Sequence, residues 1–263
     1  MNALQTIAVR AARAAGDLIM RATDNIDPVK KADIKGRNDF VTEIDKRAEY
    51  KIIDIISKSY PDHSFLAEES GLQGDKSDHL WIIDPIDGTT NFIRGIPHFA
   101  VSIACEVKGR LEIGVVYDPV REELFTASRG NGAQLNGKRI RVSKTTHLEH
   151  SLLATGFPFR NIDKLDDYLY KFKSLYLQCS DMRRAGAASL DLAYVAAGRH
   201  DGFWEFGLQE WDIAAGALIV AEAGGMIADL SGNPNYRKAD SILAATPGVF
   251  KGMLKVLKQS PTT

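Results

Sequence analysis

The sequence predicts a mixed fold of helix and sheet layers, α+β in its first part and α/β in its second. Three observations carry that expectation. Residues 4–22 repeat apolar side chains at helical spacing, residues 99–142 read as a run of short strands, and from residue 152 onward helical and strand patterns alternate. The chain has 263 residues and is 44% hydrophobic, long enough for a substantial core in one large domain or two lobes.

In the first helix, Leu4, Ile7, Ala8, Ala11, Ala15, Leu18 and Ile19 share one face, and it is expected to end near Thr23-Asp24-Asn25, ahead of Pro28. Residues 29–38 mix Lys30, Lys31, Lys35 and Arg37 with Asp and Gly without an apolar period, which reads as a loop. Thr42-Glu43-Ile44-Asp45 then has the spacing of a capping box, with Asp as its acid, before the periodic Ala48, Ile52, Ile55 and Ile56. Ser64-Phe65-Leu66-Ala67 reads as a strand running into Glu68-Glu69. Successive side chains of a strand alternate faces, so one of these glutamates points inward, and Glu68 is the one expected there.

Residues 99–107, 111–117 and 123–127 form an antiparallel meander, broken at Lys108-Gly109 and Asp118-Pro119. A Gly- and Asn-rich segment at 130–137 follows, with a short returning strand at 139–142. The boundary between lobes is expected near 143–150, giving an N-terminal α+β lobe over residues 1–146 and a C-terminal α/β lobe over 147–263. No low-complexity linker separates them, so the lobes should pack together. In the second lobe a helix is expected over 163–177, another over 186–199 opened by Gly186-Ala187-Ala188, and a strand over 201–206 carrying Glu205. An apolar helix from Trp211-Asp212 to residue 222 and a structural helix at 247–257 complete the pattern.

Charge and cysteine content narrow the function. The 33 basic and 34 acidic residues leave a net charge of −1, which provides no electrostatic drive toward nucleic acid or an acidic membrane. Cys105 and Cys179 are the only cysteines. They read as reduced thiols of a cytoplasmic protein. The longest apolar stretch, residues 213–221, is far too short to span a bilayer, so no membrane role is expected.

The chemistry concentrates in residues 81–92. An apolar strand, Trp81-Ile82-Ile83, delivers Asp84 at its end, where Pro85 is expected to stop the ladder and Asp87 to follow on the turn. Gly88-Thr89-Thr90-Asn91 can then open a helix with hydroxyl caps and free backbone N–H groups, a favourable place for phosphate. Carboxylates beside a phosphate repel it unless a cation lies between, and Mg²⁺ is the hard, oxygen-seeking ion suited to that position. Each residue taken singly is an ordinary turn residue. It is the whole run, two acids fed by a buried strand into an anion site, that points to phosphate chemistry.

Asp84-Pro85-Ile86-Asp87-Gly88-Thr89-Thr90-Asn91-Phe92 resembles the first signature of the inositol monophosphatase family. Glu210-Trp211-Asp212-Ile213-Ala214-Ala215-Gly216, followed by Glu222-Ala223-Gly224-Gly225, resembles the second. Both stand in the expected order, and the similarity runs over nearly the whole chain, nearest to the bacterial extragenic-suppressor-type branch. The resemblance implies an α+β/αβ layered sandwich of alternating helix and sheet layers, assembled as a homodimer. It implies Mg²⁺-dependent hydrolysis of a phosphate monoester, myo-inositol 1-phosphate first among candidates, with two to three Mg²⁺ ions per site. By that resemblance Glu68, Asp84 and the Ile86 carbonyl hold one ion, Asp84, Asp87 and Asp212 a second, and a third lies near Glu68. The attacking water is oriented by Thr89, Asp45 and Glu68. Substrate contacts fall to Asp87, Gly88, Thr89, Ala188, Glu205 and Asp212, and the loop with Lys35 lies at the mouth of the site. Ala187 and Gln209-Glu210 depart from the residues usual in the animal enzymes.

Related families hydrolyse fructose 1,6-bisphosphate or phosphoadenosine nucleotides on the same scaffold, which are the alternative substrates. The resemblance also implies a non-catalytic role, since members of the bacterial branch act as partners in transcription elongation and ribosomal RNA synthesis. Arg183-Arg184 is the basic pair that would serve such an interface or a dimer contact.

Overall fold

Two large β-sheets alternate with layers of helix in a computed structural model of the chain, which describes residues 2–23, 33–36, 39–41 and 43–259. The layered sandwich expected from the sequence is the architecture that forms. Its first layer pairs α1 (Ala3–Thr23) with α2 (Glu43–Ser57). Between them β1 (Asp33–Gly36) and β2 (Asp39–Val41) pair antiparallel, so part of the segment read as a loop is a strand, and Lys35 lies at an irregularity in its register. Backbone pairing needs no apolar period, which is why the composition hid it. Residues 29–32 and 37–38 lie outside the described residues, as does Thr42, the expected cap of α2.

The first large sheet uses residues 64–140. Its strands are β3 (Ser64–Ala67), β4 (Gly71–Gln73), β5 (His79–Asp87), β6 (Ala100–Val107), β7 (Arg110–Asp118), β8 (Glu123–Ser128), β9 (Ala133–Leu135) and β10 (Lys138–Ile140), in the order β10-β9-β8-β7-β6-β5-β3-β4. Every pairing is antiparallel except β3 with β5. A five-residue helix, α3 (Thr89–Ile93), follows β5 directly.

The second sheet draws on residues 152–245: β11 (Leu152–Thr155), β12 (Asp181–Arg183), β13 (Gly202–Phe206), β14 (Met226–Ala228) and β15 (Ser241–Ala245), ordered β12-β11-β13-β15-β14. Here β11 runs parallel to both of its neighbours. Helices α4 (Leu165–Tyr176) and α7 (Pro247–Leu257) cover its outer face, while α5 (Ala188–Ala196) and α6 (Glu210–Glu222) lie between the two sheets.

The period-2 alternation of the strands decides which layer each side chain joins. Trp81 and Ile83 of β5 pack toward α1 and α2, and Ile82 packs toward the middle helices. In the second sheet Phe203 faces the middle helices and Trp204 the outer ones. Helix α6 is buried at every position from Asp212 to Val220. A helix apolar on all sides belongs in an interior, and two sheets are needed to cover it. No helix of the described residues is long and apolar enough to cross a membrane.

Candidate active site

Strand β5 does not end at Pro85, contrary to the sequence expectation. The pairing with β6 is broken between Asp84, opposite Ser102, and Asp87, opposite Ala100, and then resumes. Three steps on β5 therefore match two on β6, which is a bulge. The bulge has a chemical consequence. Residues three apart in a regular strand point to opposite faces, and the extra residue turns Asp84 and Asp87 toward the same cavity. Pro85 has no N–H to offer the ladder at that place, and the Ile86 N–H donates instead to Asp84 Oδ1 at 3.0 Å.

Gly88 follows with φ of 95°, in the left-handed region that a side chain would make costly, and starts α3. No hydroxyl caps this helix. The Thr89 hydroxyl instead lies 3.2 Å from Asp45 Oδ1 and 3.0 Å from the Ile86 carbonyl. Asp45 is fully buried in the first turn of α2, so the acid expected as half of a capping box reaches the site through Thr89. The Glu69 amide donates to the Glu49 carboxylate at 2.8 Å, fixing the turn after β3 from which Glu68 enters the cavity.

The second sheet and the middle helices complete the walls. Asp87 is gripped by the start of α5, accepting from the Ala188 amide at 3.3 Å, the Ser189 amide at 2.7 Å and the Ser189 hydroxyl at 2.5 Å. The Ala188 amide, a candidate substrate contact, is thus already engaged by Asp87. Asp212, in the first turn of α6, accepts from the Gln209 amide at 2.7 Å within a capping box and also borders the cavity. Asn91 ties α3 to this half by donating to the Ala185 carbonyl at 2.9 Å.

The result is a cavity of about 260 Å³ that collects Glu68, Asp84, Asp87, Gly88, Thr89, Ala188, Glu205 and Asp212. The Ile86 residue also lines it. Asp45 stands behind Thr89, and Lys35 lies in β1. Burial and the charges of Glu68, Asp87 and Asp212 push the Asp84 carboxyl well above its ordinary range. Burial, then the Asp212 charge, raises Asp87 to about 7 against the pull of the Ser189 hydrogen bonds. Glu205 is also raised well, by burial and by Asp191 and Asp212, with Arg184 opposing.

Four acids crowded this way call for a cation. Among the described residues no three His, Cys, Asp or Glu side chains already form a metal-holding group. The donor chemistry nevertheless fits a hard divalent ion: carboxylates and a main-chain carbonyl, with no thiol or imidazole lining the cavity.

Sequence reasoning missed three residues here. Arg160, on the loop after β11, lies 3.4 Å from Asp212 and 3.9 Å from Glu68. Arg184 lines the cavity with its guanidinium 5.1 Å from the Phe157 ring centre. Its neighbour Arg183 pairs with exposed Asp181 instead, so the basic pair divides between site and surface. Asp191 borders the cavity at 1% exposure, raised well by burial. An acid inside the apolar run Leu190-Asp191-Leu192 was the available signal; Arg160 offered none.

A model of the inositol monophosphatase family matches residues 1–261. A relative from Pseudomonas aeruginosa named Nus factor SuhB is 55% identical over 263 residues, spanning 98% of this chain and 97% of that protein. The crystal structure of the extragenic suppressor protein SuhB from Bartonella henselae superposes with a TM-score of 0.94 at 43% identity, over 98% of this chain and 99% of that one. The inositol monophosphatase from Anabaena gives a TM-score of 0.88 at 38% identity, over 98% and 96% of the two chains.

Proposed function

This chain belongs to the inositol monophosphatase family and is of phosphatase type, and from that premise we propose that it hydrolyses a phosphate monoester, myo-inositol 1-phosphate first among candidates, with Mg²⁺ as cofactor. The observation that carries this reading is the convergence of Glu68, Asp84, Asp87 and Asp212, from both halves of the chain, on one cavity beside the start of α3. Glu68, Asp84, the Ile86 carbonyl, Asp87 and Asp212 would hold the metal, two to three ions in all. Bound Mg²⁺ supplies neutralisation of phosphate charge and acidification of water.

The chain's own groups do the rest. No cysteine or histidine lines the cavity, which supports a water as the nucleophile. The Thr89 hydroxyl has two acceptors, Asp45 and the Ile86 carbonyl, so its proton is committed to the protein and a lone pair is left to accept from that water. Backbone amides at Gly88 and Thr89, residues that line the cavity, would bind phosphate oxygens. Asp191 and Glu205, raised by burial, are carboxyls able to donate as well as accept, which suits the paired hydroxyls of a polyol. In-line attack forms the new P–O bond as the bond to the sugar oxygen breaks, and that oxygen takes up a proton.

Phosphate release from inositol 1-phosphate, fructose 1,6-bisphosphate and a phosphoadenosine nucleotide, each across a Mg²⁺ titration, tests the reading. Metal-dependent turnover fastest on inositol 1-phosphate is expected. Faster turnover on either alternative moves the substrate assignment, and none on any ester with folded protein rejects the activity. A partner role in transcription is a second reading, favoured by the name of the Pseudomonas relative. A pull-down of transcription-elongation proteins that survives the Asp87→Asn substitution would separate that role from catalysis. We read the protein as a cytoplasmic homodimer, which sedimentation would check.

A further inference from the structure

Asp191 and His200 each bury a polar atom that lacks a hydrogen bond. Asp191 Oδ1 and His200 Nδ1 are both inaccessible and unsatisfied, yet they stand 3.8 Å apart, in residues 1% and 7% exposed. An unpaired buried donor or acceptor is costly, and each of these atoms is the partner the other lacks. A move of less than about 1 Å would bring them within hydrogen-bond distance.

The fold brings His200 to this point from behind the cavity wall. Asp191, in the first turn of α5, borders the cavity, and His200 does not. Past the end of α5 the chain turns back on itself, the Arg199 and His200 amides donating to the Tyr194 carbonyl at 2.9 and 3.2 Å. The imidazole then meets the Tyr194 ring edge to face, with centroids 5.5 Å apart. Asp201, the acid next in sequence, is already engaged, accepting from the Ser143 hydroxyl at 2.5 Å and the Leu152 amide at 2.7 Å. Burial first, then the charges of Arg183 and His98, lower His200 to about 4 against the pull of Asp201. The imidazole is therefore neutral at ordinary pH, and what it offers Asp191 is a hydrogen bond.

We propose that His200 is a positioning residue for polyol recognition: its Nδ1 engages Asp191 Oδ1 and so aims the second oxygen of that carboxyl at a substrate hydroxyl in the cavity. The proposal rests on the reading of the cavity as a phosphatase site that takes a polyol ester. A side chain left to rotate must be ordered when the substrate binds, which costs affinity. One oxygen held from behind removes that cost in advance. The reacting phosphate is assigned to the Gly88 and Thr89 side, so loss of this hold should act on binding and spare the chemical step.

Steady-state kinetics test it, on wild type, His200→Phe, His200→Asn, Asp191→Ala and the double variant Asp191→Ala/His200→Phe, with inositol 1-phosphate and with a small aryl phosphate that has no hydroxyl groups. Phenylalanine keeps a ring against Tyr194 without the nitrogen, and asparagine returns a polar atom near the place of Nδ1. His200→Phe should raise KM for inositol 1-phosphate about threefold to tenfold, the scale of one neutral hydrogen bond, with kcat nearly unchanged. The aryl ester should be unaffected, and His200→Asn should recover most of the loss. In the Asp191→Ala background His200→Phe should add nothing, because a residue that acts only through Asp191 is silent once its carboxyl is gone. An unchanged KM, an equal loss on both esters, or a full His200→Phe effect without Asp191 overturns the proposal and leaves the phosphatase reading intact. Failure of folded wild type on every phosphate ester rejects that reading and the proposal with it. Should His200→Phe not fold, His200→Leu loses the nitrogen with less bulk and carries the same expectations.

Discussion

Replacing Asp87 by Asn sets two energies against each other. Burial and the Asp212 charge raise this carboxyl from 3.8 to about 7, about three units, or about 4 kcal/mol at roughly 1.36 kcal/mol per unit. A raised carboxyl binds its proton more tightly in the folded state. Its contribution to stability is therefore fully present below about pH 4 and lost as the pH rises through 7. Asparagine carries no charge and escapes that loss. It also loses hydrogen bonds, because Asp87 uses two oxygens to accept from the Ser189 amide, the Ser189 hydroxyl and the Ala188 amide. The single amide oxygen can keep the Ser189 pair, while its NH₂ faces the Ala188 N–H, at a cost of about 1–3 kcal/mol including the lost charge.

At pH 8 the electrostatic relief outweighs the lost hydrogen bonding, so metal-free Asp87→Asn should melt no lower than wild type, and up to a few degrees higher. With Mg²⁺ the order should reverse, since on the proposed assignment only wild type keeps every carboxylate ligand, and turnover should fall by about a hundredfold or more. Thermal melts at pH 8 in chelator and in Mg²⁺, with phosphate release measured alongside, decide the matter. Wild-type turnover with a wild-type Mg²⁺ shift would reject Asp87 as a ligand. A metal-free variant well below wild type at pH 8, yet equal to it at pH 4, would show that the buried charge is not the cost worked out above.

Thr89→Ala removes the hydroxyl between Asp45 and the Ile86 carbonyl. Turnover should drop about tenfold to a hundredfold, with the half-saturating Mg²⁺ concentration nearly unchanged, and a large rise in that concentration would contradict a water-orienting role. Gly156→Ala places a methyl group where the Glu205 carboxylate now lies. It should raise KM for inositol 1-phosphate more than it lowers kcat, and leave a small aryl phosphate less affected. An equal loss on both esters would remove Glu205 from polyol recognition.

Much of the site was written in contiguous residues. Asp84, Asp87, Gly88 and Thr89 lie within one strand and the turn after it, so a local run of sequence carries both the acids and the start of the helix that faces them. The layered fold was legible for a similar reason, since each layer repeats its own period: 3.6 in α1, 2 in the meander, and unbroken apolar character in the buried α6. Alternation along β3 allows only one of Glu68 and Glu69 to face inward without saying which, and it is Glu68 that lines the cavity.

What the chain order hid is what depends on distance through space. The bulge at residues 84–87 follows from pairing with β6, a strand the local pattern does not contain, and without it the two aspartates would face apart. Ser189 clamps Asp87 from 102 positions away, and Arg160 meets both Glu68 and Asp212 only because two sheets enclose one pair of helices. Side-chain periodicity reports which face of an element is buried, and motifs report chemistry carried by neighbours in the chain. Neither encodes which distant charge arrives opposite, and in a low-dielectric cavity that arrival decides which carboxyls keep their protons and which cation they hold.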